Sequence, residues 1–271
     1  MNLPMPNPQR EKEFLRGRIR RSGIYILPNL FTTAALFAGF YAIVQAMNGR
    51  FEQAALAIFV ALVMDGLDGR VARLTRTESA FGAEYDSLSD MVAFGAAPAL
   101  VVYVWALKGM GRLGWIAAFI YCVGAALRLA RFNTQLNHAD KRYFQGLPSP
   151  AAAALVAGLV WAMNQYQVNG RDIDWLAWSI TLFAGFTMVS NIRYYSFKDI
   201  NLRRAVPFWG VVAVALVVVL LVSVSSNLPE LLFALFGIYA LSGYCMALWG
   251  WARRKSAGRK ADEQAGDLHG E

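Results

Sequence analysis

Four aspartates stand in two close pairs within VMDGLDGRVARLTRTESAFGAEYDSLSDMVAF (residues 63–94): Asp65 and Asp68 are three residues apart, Asp86 and Asp90 four. On a helix, either spacing puts both side chains on one face. If the two helices run antiparallel through a short connection, all four carboxylates reach one depth and line one pocket. One charge at the centre of a bilayer costs roughly 2.5–3.5 kcal/mol on insertion scales, so such a cluster in an apolar setting needs compensation. Divalent cations supply it. Oxygen ligands without His or Cys select Mg²⁺, Mn²⁺ or Ca²⁺ over zinc or copper. Paired hard cations that also hold phosphate point to phosphoryl-type transfer.

The residues between the acids suit a phosphate ligand. Gly66 and Gly69 remove side chains beside the first pair, Gly82 does so one turn before Asp86, and Arg73 follows Gly69 by four residues with a guanidinium to offer a phosphate. Small residues also serve close helix packing in membranes, and for the glycines alone the two readings are balanced. Four acids and an arginine beside them favour a ligand site. Farther along, Arg128 and Arg131 lie one turn apart next to Asn133. They are candidates to clamp an acceptor's carboxylate or phosphate, or plain anchors at the membrane interface.

These residues must be positioned by membrane helices. Of 271 residues, 57% are hydrophobic and 16% charged, and the apolar ones come in blocks separated by short basic stretches. Runs close to the ~20 residues that cross a bilayer fall at about 28–47, 51–67, 88–107, 113–131, 149–166, 174–190, 206–224 and 229–251. The expected fold is therefore all-α: a polytopic membrane helix bundle of about eight transmembrane helices. Of 26 Lys and Arg, all but Arg50, Lys108, Arg112 and Arg171 fall on one side, which the positive-inside rule makes the cytosol. Both termini and the aspartate site then face the cytosol from an inner (cytoplasmic) membrane.

That arrangement accounts for the net charge of +8 without nucleic acid, since basic residues at the cytosolic interface attract anionic lipid. Residues 1–27 read as a cytosolic segment with an interfacial amphipathic helix, 28–190 as a six-helix core, 191–251 as a cytosolic loop with two further spans, and 252–271 as a disordered tail. His138 and His269 are isolated, and Cys122 and Cys245 lie inside expected spans, so neither zinc chemistry nor a disulfide is expected.

DGLDGRVARLTRTESAFGAEYDSLSD carries every fixed position of the pattern D-x-x-D-G-x-x-A-R-x8-G-x3-D-x3-D: Asp65, Asp68, Gly69, Ala72, Arg73, Gly82, Asp86 and Asp90. It resembles the signature of the CDP-alcohol phosphatidyltransferase family. YDSLSDMVAFGAAPA (85–99), ALRLARFN (126–133) and FQGLPSPAAA (144–153) resemble the serine-specific, phosphatidylserine synthase branch. The resemblance covers roughly residues 25–190 and implies a six-helix catalytic core. It implies that Asp65, Asp68 and Asp86 hold two divalent cations, Mg²⁺ or Mn²⁺, with Asp90 contributing to metal binding and acting as general base. It places CDP-diacylglycerol against Gly69, Ala72, Arg73, Ser79 and Gly82, and makes L-serine the acceptor for which Arg128, Arg131 and Asn133 are the candidates read above from their spacing. It also implies a homodimer. Two alternatives stay open: another small alcohol acceptor, such as glycerol 3-phosphate or inositol phosphate, and an ion-coupled secondary transporter, which also places acids within spans.

Overall fold

The computed structural model describes residues 8–75, 77, 79–135, 143–195 and 227–247. The expected span at 206–224 and the tail 252–271 lie outside the described residues. Among the described residues there are seven long helices: α1 Pro8–Met47, α2 Phe51–Thr75, α3 Ala80–Trp105, α4 Arg112–Gln135, α5 Ser149–Gln165, α6 Asp174–Val189 and α7 Leu228–Ala247. Among the described residues, Pro28–Met47, Ala80–Trp105, Arg112–Thr134 and Leu228–Ala247 are long and apolar enough to cross a membrane by length and composition. The protein is an all-α integral membrane bundle. The α5 and α6 helices have 17 and 16 residues, and α2 carries Asp65, Asp68, Arg70 and Arg73 in its second half.

The connection between α1 and α2 is dictated locally. Arg50 N–H donates to Gln45 C=O (2.9 Å) and Gly49 N–H to Ala46 C=O (3.0 Å), with Gly49 at φ +73°. This is a Schellman ending, in which a left-handed glycine satisfies the last carbonyls and reverses the chain. The two helices then pack along Ala35, Ala42 and Ala46 on one side and Ala54, Ile58 and Ala61 on the other, all buried. Small side chains let backbones approach where lipid supplies no hydrophobic drive between helices.

α2 continues to Thr75, eight residues past the expected span end, and α3 starts at Ala80, eight before the expected start. Hydropathy detects contact with lipid, whereas the helical hydrogen-bond ladder runs on through polar residues. Both signature segments are consequently helical. Ser79 caps α3, its Oγ accepting from Gly82 N–H at 3.0 Å. A π-helical turn over Met91–Ala96 widens α3 immediately after Asp90; such turns re-aim the residues beyond them and recur at functional sites.

At the centre is α5, buried on nearly all sides from Ala151 to Ala162, as an Ala- and Val-rich helix with no polar face must be. Pro148 and Pro150 start it, where a missing N–H costs no hydrogen bond. α2 packs on α5, and α4 on α6. One feature was not expected from the apolar blocks: Tyr143–Gln145 pairs antiparallel with Arg193–Tyr195 as a short ribbon, β1 and β2, between the helices. The ribbon is locked to α7, since Tyr194 OH donates to Ala240 C=O at 2.8 Å.

A cavity of about 650 Å³ lined by Gly49, Glu52, Trp105, Asn164 and Asn169 gathers the α1–α2 turn, the end of α3 and the end of α5 at one end of the bundle. The four minority-side cations Arg50, Lys108, Arg112 and Arg171 belong to the turns between helices, and all are exposed. The signature acids lie away from these turns, in the later part of α2 and the early part of α3.

Candidate active site

The antiparallel helices bring the acids together. Asp65, Asp68 and Asp86 each offer a carboxylate oxygen, and these atoms lie within 4.8 Å of one another. The carboxyl of Asp90 meets that of Asp65, and Asp86 meets Asp68, so the fourth acid borders the trio on the α3 side. Asp68 is buried, and the other three are half-buried. Asp86 Oδ1 is enclosed and accepts no hydrogen bond. A buried carboxylate oxygen without a donor is costly unless something positive meets it. Together with a donor set made only of hard oxygens, this orphaned atom fits a divalent cation.

The neighbouring candidates divide by surroundings. A Cβ added at Gly66 meets nothing within 4 Å, so the α2 surface beside Asp65 is open. At Gly69 the added atom meets the Arg73 guanidinium at 3.6 Å, so Arg73 folds back over its own helix beside Gly69. Gly82 differs from its sister glycines. A Cβ there comes 3.1 Å from Ser79 Oγ and 3.5 Å from Asn29 Oδ1, so this glycine makes room for the α3 cap and for α1 instead of opening a free face. Ala72 is half-buried and Ser79 exposed beside them.

On α4, Arg128 donates through Nη1 to the buried Ser149 hydroxyl (2.8 Å), lies within electrostatic reach of Asp90 and Asp65, and has an enclosed Nε without a hydrogen bond. Arg131 is turned elsewhere: its Nη1 donates to Val189 C=O (3.1 Å) and Asn191 Oδ1 (3.2 Å), fastening α4 to the end of α6. Asn133 donates to Ser87 Oγ (3.0 Å), joining α4 to α3. Of the three acceptor candidates, Arg128 is the one beside the acids.

α1 adds contacts to the site that the spacing of the acids and arginines does not reveal. Thr32 is buried and donates to Asp68 Oδ2 at 2.8 Å, Thr33 and the Tyr85 hydroxyl share a hydrogen bond of 2.9 Å, and Ser89 Oγ donates to Thr32 C=O at 3.0 Å. A signal existed. Asn29, Thr32 and Thr33 are polar, three and four residues apart, within an otherwise apolar span, the spacing of one helix face.

An integral membrane bundle with a carboxylate-rich site between its second and third helices defines a class, and comparison with known proteins specifies it. A profile for CDP-alcohol phosphatidyltransferase matches residues 25–190. Proteins named CDP-diacylglycerol–serine O-phosphatidyltransferase are similar over half of the chain or more. One from Helicobacter pylori is 39% identical over 220 residues, covering 81% of this chain and 90% of its own length. One from Mycobacterium leprae is 34% identical, covering 75% and 69%, and one from Methanocaldococcus jannaschii is 40% identical, covering 52% and 63%. The chain belongs to the CDP-alcohol phosphatidyltransferase family, and is an enzyme of it.

Proposed function

We propose that this enzyme moves the phosphatidyl group of CDP-diacylglycerol to L-serine, giving phosphatidylserine and CMP. The observation that carries the reading is the convergence of Asp65, Asp68 and Asp86 within 4.8 Å, bordered by Asp90, at the spacing of the family signature. The names of the similar proteins support serine as acceptor.

Asp65, Asp68 and Asp86, with help from Asp90, hold two divalent cations, Mg²⁺ or Mn²⁺. When bound, these neutralise the pyrophosphate and the departing CMP. Gly66 and Gly69 leave the α2 surface low enough for the donor to approach, and Arg73, folded over Gly69, contacts its phosphates with Ala72 and Ser79 beside it, while Gly82 serves the Ser79 cap that shapes this edge. Arg128 receives the serine carboxylate, with Ser149 fixing its orientation; Arg131 and Asn133 support the same end of α4. Asp90 takes the proton of the serine hydroxyl as its oxygen bonds to the diacylglycerol-side phosphorus and the bond to the CMP oxygen breaks. An ordinary hydroxyl is a poor nucleophile at neutral pH, and a positioned base contributes roughly 10²–10⁴-fold.

The site faces the cytosol from the inner membrane, where CDP-nucleotide and serine are supplied, and the acyl chains remain in lipid. The division into a core at 28–190, a following pair of spans and a terminal tail belongs to the same reading, as does assembly as a homodimer. The test is purified protein in mixed micelles with CDP-diacylglycerol, Mn²⁺ and a panel of serine, glycerol 3-phosphate and inositol phosphate. CMP release with serine alone is expected. Release driven by another alcohol would reassign the acceptor, and no release with any of the three would overturn serine as the acceptor.

A further inference from the structure

We propose that Thr32 of α1 is a positioning residue that orients the Asp68 carboxylate for metal binding, with Ser89 of α3 holding Thr32 in place. The inference rests on the metal-binding reading above. It adds a third helix to a site that the signature assigns to two.

The Thr32 hydroxyl has one proton and two acceptors in reach, Asp68 Oδ2 at 2.8 Å and Pro28 C=O at 3.2 Å. The carboxylate is nearer, and its charge makes it the stronger acceptor. An ionised carboxylate only accepts, so the hydroxyl must donate, and one accepted bond leaves Asp68 ample capacity to bind a cation. The Thr32 side of the contact is itself fixed. Its backbone carbonyl accepts from Ser89 Oγ at 3.0 Å, and both residues are buried. Ser89 immediately precedes Asp90, so one chain of hydrogen bonds runs from α3 through α1 to α2.

Partners that hold a ligating carboxylate matter because the ligand oxygen is then set before the ion arrives. Their loss typically weakens metal binding about 10- to 100-fold. A merely structural threonine behaves differently. Valine matches its shape and is better tolerated in an apolar span, so Thr32→Val should insert and pack while losing only the donor. Serine keeps the donor and loses only a methyl group.

The test reads free Mn²⁺ by electron paramagnetic resonance during titration of the purified full-length protein, without either substrate, for wild type, Thr32→Val, Thr32→Ser and Ser89→Ala. Expected are a rise of about tenfold or more in the Mn²⁺ dissociation constant for Thr32→Val, near-wild-type binding for Thr32→Ser, and a smaller rise for Ser89→Ala. Mn²⁺ activation of CMP release should shift to the same higher concentrations. If Thr32→Val fails to fold, wild-type binding by Ser89→Ala would sink the proposal on its own. Thr32→Val binding as tightly as wild type, or Thr32→Ser as weakly as Thr32→Val, overturns the positioning role and leaves the metal site standing. Wild-type protein that takes up no Mn²⁺ overturns the metal reading, and this inference with it.

Discussion

At the scale of single residues, the four aspartates do not have equivalent surroundings. Asp65, Asp68 and Asp86 supply the oxygens that crowd together, and Asp86 Oδ1 has no donor at all. Changing any one of the three to Asn removes a charge that the proposed cations would need. Each substitution should therefore lower CMP release by about 10²-fold or more while the protein still inserts. Chelator should abolish the wild-type activity, and Mn²⁺ or Mg²⁺ should restore it; full activity in excess chelator would refute the metal requirement. Asp90 meets the trio from the α3 side, so Asp90→Asn should retain much of the Mn²⁺ binding and lose about 10²–10⁴-fold in kcat. Metal loss as complete as that of Asp86→Asn would make Asp90 a ligand first. Direct attack by serine also requires that labelled CMP fail to exchange into CDP-diacylglycerol when serine is absent, since no activated nucleophile of the chain is proposed to carry the phosphatidyl group.

At the scale of helices, α1 is the support that keeps α2 and α3 in register. Besides the Thr32 and Thr33 contacts, it touches α3 so closely at Gly39 that a Cβ there would come 2.6 Å from Ala93 Cα. That is backbone against backbone, with no flexible side chain to yield. Gly39→Leu should cost about 1–3 kcal/mol or more through overpacking, seen as a lower apparent unfolding midpoint in detergent. Activity should fall with it, because α3 carries Asp86 and Asp90. Gly109→Ala is the control, since its added atom meets nothing within 4 Å; an equal drop in both would mean that close approach of α1 and α3 is not the cause.

At the scale of the molecule, the exposed turns at one end of the bundle and the acids elsewhere make orientation testable. In a background with Cys122 and Cys245 replaced by Ser, a cysteine at Gly109 should react in intact cells with a membrane-impermeant maleimide. A cysteine at Thr134, toward the other end of α4, should react only after permeabilisation. The reverse pattern would place the aspartate site outside the cell. Sequence alone determined the class of protein and set the expectations for the site's chemistry and for the side of the membrane it faces, because apolar blocks, carboxylate spacing and the distribution of basic residues are properties of composition along the chain. Its span boundaries near the acids fell short, since hydropathy responds to lipid contact while a helix persists through Asp, Gly and Arg. Only the tertiary structure decided which polar groups from distant segments meet. Thr32 reaches Asp68 across 36 positions, and Arg131 turns to Val189 and Asn191 while Arg128 stays beside the acids. Such partnerships depend on helix rotation and crossing, which the packing of small residues over the whole bundle sets and which no local stretch of sequence contains.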